Sequence, residues 1–262
     1  MKTKRVSIKD FKGHRHPASK LFRSIELQNI YKNTKGLVFK QPSIDLGGGD
    51  GYLSSILFDS KFTYNLDNGE AKDLHVAKRT KRYKKILIES AEKMSLKDRS
   101  IKFVFSNSVI EHIPDNDAVL KETARVLVPG GVFVFTSPSH NFKHYLWLSN
   151  VLNGIGLSFL GNLYLEKRNK MLNHYHTYSH SIWTKRLKKY GLIVKKYDYY
   201  ISQSTCMLWD KIAWEVRMRT LFDRDAQSHV YLKYKRRIED AIAQDQVKGT
   251  NGASLFIYAV KK

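Results

Sequence analysis

Cysteine is nearly missing from this chain: Cys206 stands alone among 262 residues. No intrachain disulfide framework can form, which fits a reducing compartment. The basic start, residues 1–20, has no apolar run behind its charges, so a secretory signal is not expected there. Acids are scarce, 24 against 46 basic residues, leaving a formal charge of +22. Such an excess attracts polyanions: nucleic acid, an anionic membrane surface or phosphorylated substrates. The bases fall in four separated runs (residues 1–20, 78–85, 186–189 and 233–237), which need not make one patch, and general compositional bias is the competing explanation. Internal repeats and low-complexity linkers are absent. The uncharged stretch 145–165 is broken by Asn150, Asn153, Asn162 and three glycines, which argues against a spanning helix and for a buried or interfacial lid. What remains is a chain long enough for one domain with additions, with 42% hydrophobic residues, so a folded core is expected.

The densest information lies in Ile44-Asp45-Leu46-Gly47-Gly48-Gly49-Asp50-Gly51. An apolar lead-in runs into an acid, then a glycine-rich turn, then helical apolar spacing over Tyr52 to Phe58. That order is strand, tight loop, helix. Glycines let a loop take positive φ and let a ligand approach the backbone. A dinucleotide fingerprint would need glycine where Tyr52 stands, and no Lys-Ser/Thr pair follows for a nucleotide-phosphate loop.

Short apolar segments at 62–67, 86–89, 101–106 and 132–136 read as further strands, with a helix over 115–128 broken at Pro129-Gly130-Gly131. A helix is expected over 18–31, before the first strand. Beyond the core, 181–190 reads as helix, 192–200 and 255–260 as strands, and 207–221 and 229–243 as inserted helices. Alternating strands and helices argue for a parallel sheet covered on both faces, with ligands at the carboxyl ends of the strands.

The D-x-G-x-G-x-G of Asp45, Gly47, Gly49 and Gly51, together with downstream motifs in order, resembles the class I S-adenosylmethionine (SAM) dependent methyltransferases, in the broad group acting on quinones, sterols and natural products. The resemblance implies a Rossmann-like α/β fold with a mostly parallel seven-stranded sheet, helices on both faces and helical insertions. It divides the chain into a basic extension and helix (1–40), a SAM-binding core (41–138), a lid-like insertion (139–180) and a C-terminal part (181–262) that completes the sheet around a helical insertion at about 200–250. It assigns Asp45 to the SAM ammonium, and Asp67 to the ribose hydroxyls, since two carboxylate oxygens suit a vicinal diol. Asn68 flanks the adenosine. Ser90-Ala91 takes the adenine edge, with a hydroxyl where the family has an acid, and Met94 is a candidate to pack on the ring. Asn107, with Ser106 and Ser108, lines the methyl-transfer pocket. Arg125-Val126-Leu127-Val128-Pro129-Gly130-Gly131 matches a structural motif of the family.

Three histidines are candidates for a general base: His112, His174 and His176. Packing or surface roles compete for each. Glu111-His112 ends the E-x-x-E-H that binds a divalent metal in some quinone-type enzymes. Ser108 occupies the first acid's place, leaving two protein ligands, so no metal is expected. The expected function is O-methylation of a small-molecule, glycan or lipid-linked acceptor, in the cytoplasm with a peripheral membrane contact. That contact would use the charge and the 145–165 segment on an anionic membrane surface. An RNA-directed methyltransferase is the lesser alternative: the charge favours it, the missing N/D-P-P-Y/F motif opposes it. A non-catalytic binding protein on the same fold is the third.

Overall fold

The computed structural model describes residues 1–11, 16–69 and 71–262. Part of the basic extension, residues 12–15, therefore lies outside the described residues. Helix α1 (Pro17–Thr34) opens on proline, whose fixed φ suits a first helical turn. The core then alternates as expected: β1 (Ser43–Leu46), α2 (Tyr52–Leu57), β2 (Phe62–Leu66), α3 (Ala71–Thr80), β3 (Tyr83–Leu87), β4 (Ile101–Asn107), α4 (Asn116–Val126) and β5 (Leu127–Pro138). Two helices, α5 (Trp147–Gly154) and α6 (Ser158–Leu172), form the 145–165 insertion. The chain closes with α7 (His180–Lys189), β6 (Leu192–Tyr200), α8 (Gln203–Arg219), α9 (Ala226–Gln244) and β7 (Ser254–Lys261).

The seven strands lie in the order β3-β2-β1-β4-β5-β7-β6. Strands β1 to β5 pair in parallel, and β7 enters antiparallel between β5 and β6. The order reverses beside β1, which puts the glycine loop and the loop after β4 at the crevice where such sheets bind ligands. Both faces of the sheet are covered, so the central strand β4 turns apolar side chains, Phe103, Val104 and Phe105, to both. On β4, Phe103 and Phe105 enter one core layer with Phe58, Phe62 and α1, while Val104 enters the other with Ile44, Phe133 and Phe135. Phe39 stacks on Phe103 with centroids 4.1 Å apart.

Helices α8 and α9 begin three to four residues before their expected starts, and two further boundaries shift for reasons the packing shows. Strand β3 begins at Tyr83, inside a basic run, because Tyr83 turns its ring inward while Lys84 and Lys85 stay exposed. Pro129-Gly130-Gly131 does not break α4 from a later strand. The strand starts at Leu127 and absorbs the motif as a bulge, pairing Ile101 with Leu127 and then Phe103 with Val132. Gly130 takes φ 76° there, a value that disfavours a side chain.

Candidate active site

Two cavities meet at the carboxyl ends of the central strands. The first, about 310 Å³, is lined by Gly47 from the glycine loop, by Asp67 and Asn68 after β2, by Ser90 and Ala91 after β3, and by Val109, His112 and Pro114 after β4. Gly47, Gly49 and Gly51 all take positive φ, at 72°, 51° and 74°. At Gly47 a side chain is excluded twice, since its Cβ would sit 2.5 Å from Val109. Asp67 Oδ2 accepts the Gly49 N–H at 2.8 Å and Oδ1 accepts the Gly69 N–H at 2.6 Å. Each oxygen has a second lone pair left for a further donor, as a vicinal diol requires. At the far end Ser90 donates to the Glu92 carboxylate at 2.8 Å, and both residues line the cavity. Glu92 thus places a carboxylate beside the hydroxyl that stands at position 90.

Five expected cofactor contacts fall outside this cavity's lining: Gly49 and Gly51 of the loop, and Asp45, Asn107 and Met94. Asp45 is buried behind the loop, where its Oδ2 accepts from Ser54 and, at 2.6 Å, from Tyr83. It does not line the cavity; it fastens the loop from beneath, because the closely packed glycines bring Gly48 against that same oxygen. Burial pushes the Asp45 carboxyl up to about 6, against the two hydrogen bonds that lower it. Asn107 also lines neither cavity. Its amide donates to Glu26 at 3.0 Å and its carbonyl accepts from Thr136 at 2.9 Å. Met94 packs in the core layer instead of the cavity wall.

The second cavity, about 170 Å³, is lined by Phe22 and Arg23 of α1, Ser108, Glu111 and His112 after β4, Phe142, His174 and Trp209. Its floor rests on Glu26, which the sequence reading did not single out. Fully buried, Glu26 pairs with Arg23 and accepts from Ser108 at 2.7 Å, Asn107 at 3.0 Å and Tyr200 at 3.1 Å. One signal was available: Glu26 stands between Ile25 and Leu27, which are both buried in α1. An acid in that position needs buried partners. A larger cleft, about 990 Å³, lies between α1, β6 and α9 and includes none of the glycine-loop residues.

The histidines separate. His112 lines both cavities. His174 reaches it because α6 ends on Asn173, at φ 51°, a left-handed cap that turns the chain inward. The two rings lie 5.2 Å apart. Burial, then the Arg23 charge among other effects, holds His112 below its usual range, and burial with the His112 and Arg168 charges pushes His174 down to about 4. Burial drives Glu111 up to about 8, with the Glu26 carboxylate adding to it. His112 and Glu111 lie 3.8 Å apart, yet both favour their neutral forms, so they are not an ion pair at neutral pH. His176 stays outside. Its Nδ1 meets the Tyr178 hydroxyl at 2.9 Å, and its Nε2 donates to the carbonyls of Ile113 and Pro114. With both nitrogens engaged, His176 braces the cavity wall at Pro114.

Residues 44–135 match a family model described as a methyltransferase domain. They form a class I SAM-dependent methyltransferase domain. SAM is the cofactor of this domain type, and the first cavity brings Gly47 together with Asp67, Asn68, Ser90 and Ala91. The chain is 34% identical over 99 residues to a "probable S-adenosylmethionine-dependent methyltransferase" of Mycolicibacterium smegmatis, covering 37% of each chain. It is 25% identical over 143 residues to a ubiquinone biosynthesis O-methyltransferase of Vibrio atlanticus, covering 53% of this chain and 60% of that one. The chain thus spans less than two thirds of the curated relatives it matches. Among solved structures, a SAM-dependent methyltransferase of Thermotoga maritima superposes with a TM-score of 0.57 at 19% identity, over 94% of this chain and 91% of that one. The phosphoethanolamine N-methyltransferase 2 of Haemonchus contortus, solved with S-adenosyl-L-methionine, gives 0.55 at 20% identity, over 98% and 60%. These likenesses establish the fold of the methyltransferase domain and its extensions.

Proposed function

We propose that the methyltransferase domain methylates an oxygen of a small-molecule or lipid-linked acceptor seated in the smaller cavity. The observation that carries this reading is the place of His112, whose side chain belongs to the walls of both cavities. The cofactor fits the larger one: Gly47 leaves its wall open, Asp67 offers two acceptors, and Glu92 with Ser90 gives the opposite end hydrogen-bonding capacity. Bound there, SAM supplies a methyl group already activated by its sulfonium. The chain must then align the acceptor, exclude water and take a proton from a hydroxyl. Phe22, Phe142 and Trp209 exclude water from the smaller cavity. His112, held neutral beside Glu111, is the proton acceptor, and Asn173 fixes its ring by accepting from Nδ1 at 3.1 Å.

A lipid-linked acceptor is favoured by the α5–α6 insertion. Ile155 and Phe159 are 66% and 79% exposed, with Leu157, Leu160 and Leu163 also at the surface. Helix α6 ends at Leu172, which lines the smaller cavity, so an apolar surface and the acceptor site share one helix. Among the described residues no helix is long and apolar enough to cross a membrane. We assign this face to surface contact with an anionic bilayer.

Calorimetry with S-adenosylhomocysteine tests the cofactor half. Wild-type binding should fall by more than about tenfold in Asp67→Ala, the loss of at least one charge-assisted pair. Equal binding by both proteins would remove Asp67 from the site, and no binding by folded wild type would sink the enzymatic reading.

A further inference from the structure

Glu111, His112 and His174 each offer a ligand atom within 4.8 Å of the other two. The motif alone supplied two ligands; the third arrives from beyond α6, carried by the Asn173 cap. We propose that these three side chains bind a divalent transition-metal cation in the wall of the smaller cavity. The residue types suit it: two imidazoles and one carboxylate favour manganese, iron, cobalt or zinc over magnesium or calcium, which prefer oxygen alone.

Three observations support the site beyond proximity. Glu111 is 1% exposed, and neither of its carboxylate oxygens has a hydrogen-bond partner among the described residues. The Nδ1 of His174 is likewise buried without a partner. Buried polar groups of this kind call for a ligand. Third, His112 Nδ1 is bonded to the Asn173 carbonyl, which points Nε2 at Glu111, 3.8 Å from Oε1. A backbone carbonyl behind one ring nitrogen is the usual outer support of a metal-bound histidine. Ligand bonds of about 2.0–2.2 Å would draw these atoms to about 3 Å apart, a side-chain rotation. Arg23 lines the same cavity, but Glu26 takes its charge.

Three protein ligands leave coordination positions open toward the cavity. With the cation bound, His112 Nε2 is a ligand and no longer a base; resting on the proposed methyl transfer, the cation would take over that role by lowering the pKa of a hydroxyl bound at an open position.

Protein freed of metal is titrated with Co²⁺, followed by its visible absorption, and with Zn²⁺ by calorimetry. One equivalent should bind wild type. Glu111→Gln and His174→Ala, each verified as folded by thermal melting, should each lose more than the about 10–100-fold that an outer support is worth. His176→Ala, outside the cluster, should bind as wild type. Equal affinity in wild type and Glu111→Gln, or no binding by folded wild type, overturns the site. S-adenosylhomocysteine binding measured on the same samples separates this from the methyltransfer reading: metal bound without the nucleoside leaves the metal site standing, and the converse removes only the metal.

Discussion

Single residues here act through what they hold in place. Asp45, the first acid of the glycine motif, is a fastening beneath the loop, and its environment gives a measurable signature. Its folded pKa of about 6 lies above the ordinary 3.8. The native state therefore keeps the proton longer than the unfolded chain, and stability contributed by Asp45 is full below 3.8 and is lost as pH rises through 6. The stability of Asp45→Asn relative to wild type should rise by about 3 kcal/mol across that window, read from urea unfolding at each pH. A flat difference would mean that Asp45 is not desolvated. Glu26 is the other fastening. Glu26→Ala would strand Arg23 and leave Ser108, Asn107 and Tyr200 without their acceptor, and should cost about 3–5 kcal/mol in urea unfolding. A loss below about 1 kcal/mol would show that water replaces the carboxylate. Neither role could be read from spacing. A motif gives the order of residues along a strand end, whereas the side an acid faces is set by Tyr83 and Ser54 arriving from other elements.

At the scale of elements, the α5–α6 hairpin is the part whose purpose the core does not explain. It is tied down at Asp210 of α8, which accepts the Trp147 N–H and the Tyr164 hydroxyl at 2.9 Å and the Arg168 guanidinium at 3.1 Å. The remainder turns apolar side chains outward. Vesicles rich in anionic lipid should co-sediment wild type, while Phe159→Asp with Leu163→Asp should lose most of that binding yet keep the melting temperature, because both residues are exposed. Retained binding would move the contact to another face. The uncharged, glycine- and asparagine-broken pattern of 145–165 predicts a buried or interfacial lid. The two helices and their outward apolar surface emerge only with Asp210, supplied by an inserted helix that periodicity located to within a few residues.

For the whole molecule, a charge of +22 acts over distance where the hairpin acts by contact. The same vesicle binding should weaken steadily as salt rises, since screening shortens the reach of exposed charges to about 8 Å at physiological ionic strength. Salt-independent binding would leave the apolar face as its whole cause. The fold itself was legible beforehand because its signals are local: apolar strand segments, the turn at Gly47, Gly49 and Gly51, and the acid at Asp67 each depend on neighbours in the chain. Those determine an α/β sheet with a SAM loop at the end of β1. The second cavity is different in kind. Its walls come from α1, the loop after β4, the segment after β5, the cap after α6, and α8, and packing alone brought them together. The sequence therefore picked out Gly47, Asp67, Asn68, Ser90 and Ala91 of the first cavity. The tertiary structure decided the second cavity, sending His176 to brace a wall, burying Glu26 behind Arg23 and Ser108 and setting His174 against His112 and Glu111, because contacts between distant segments carry no periodicity to read.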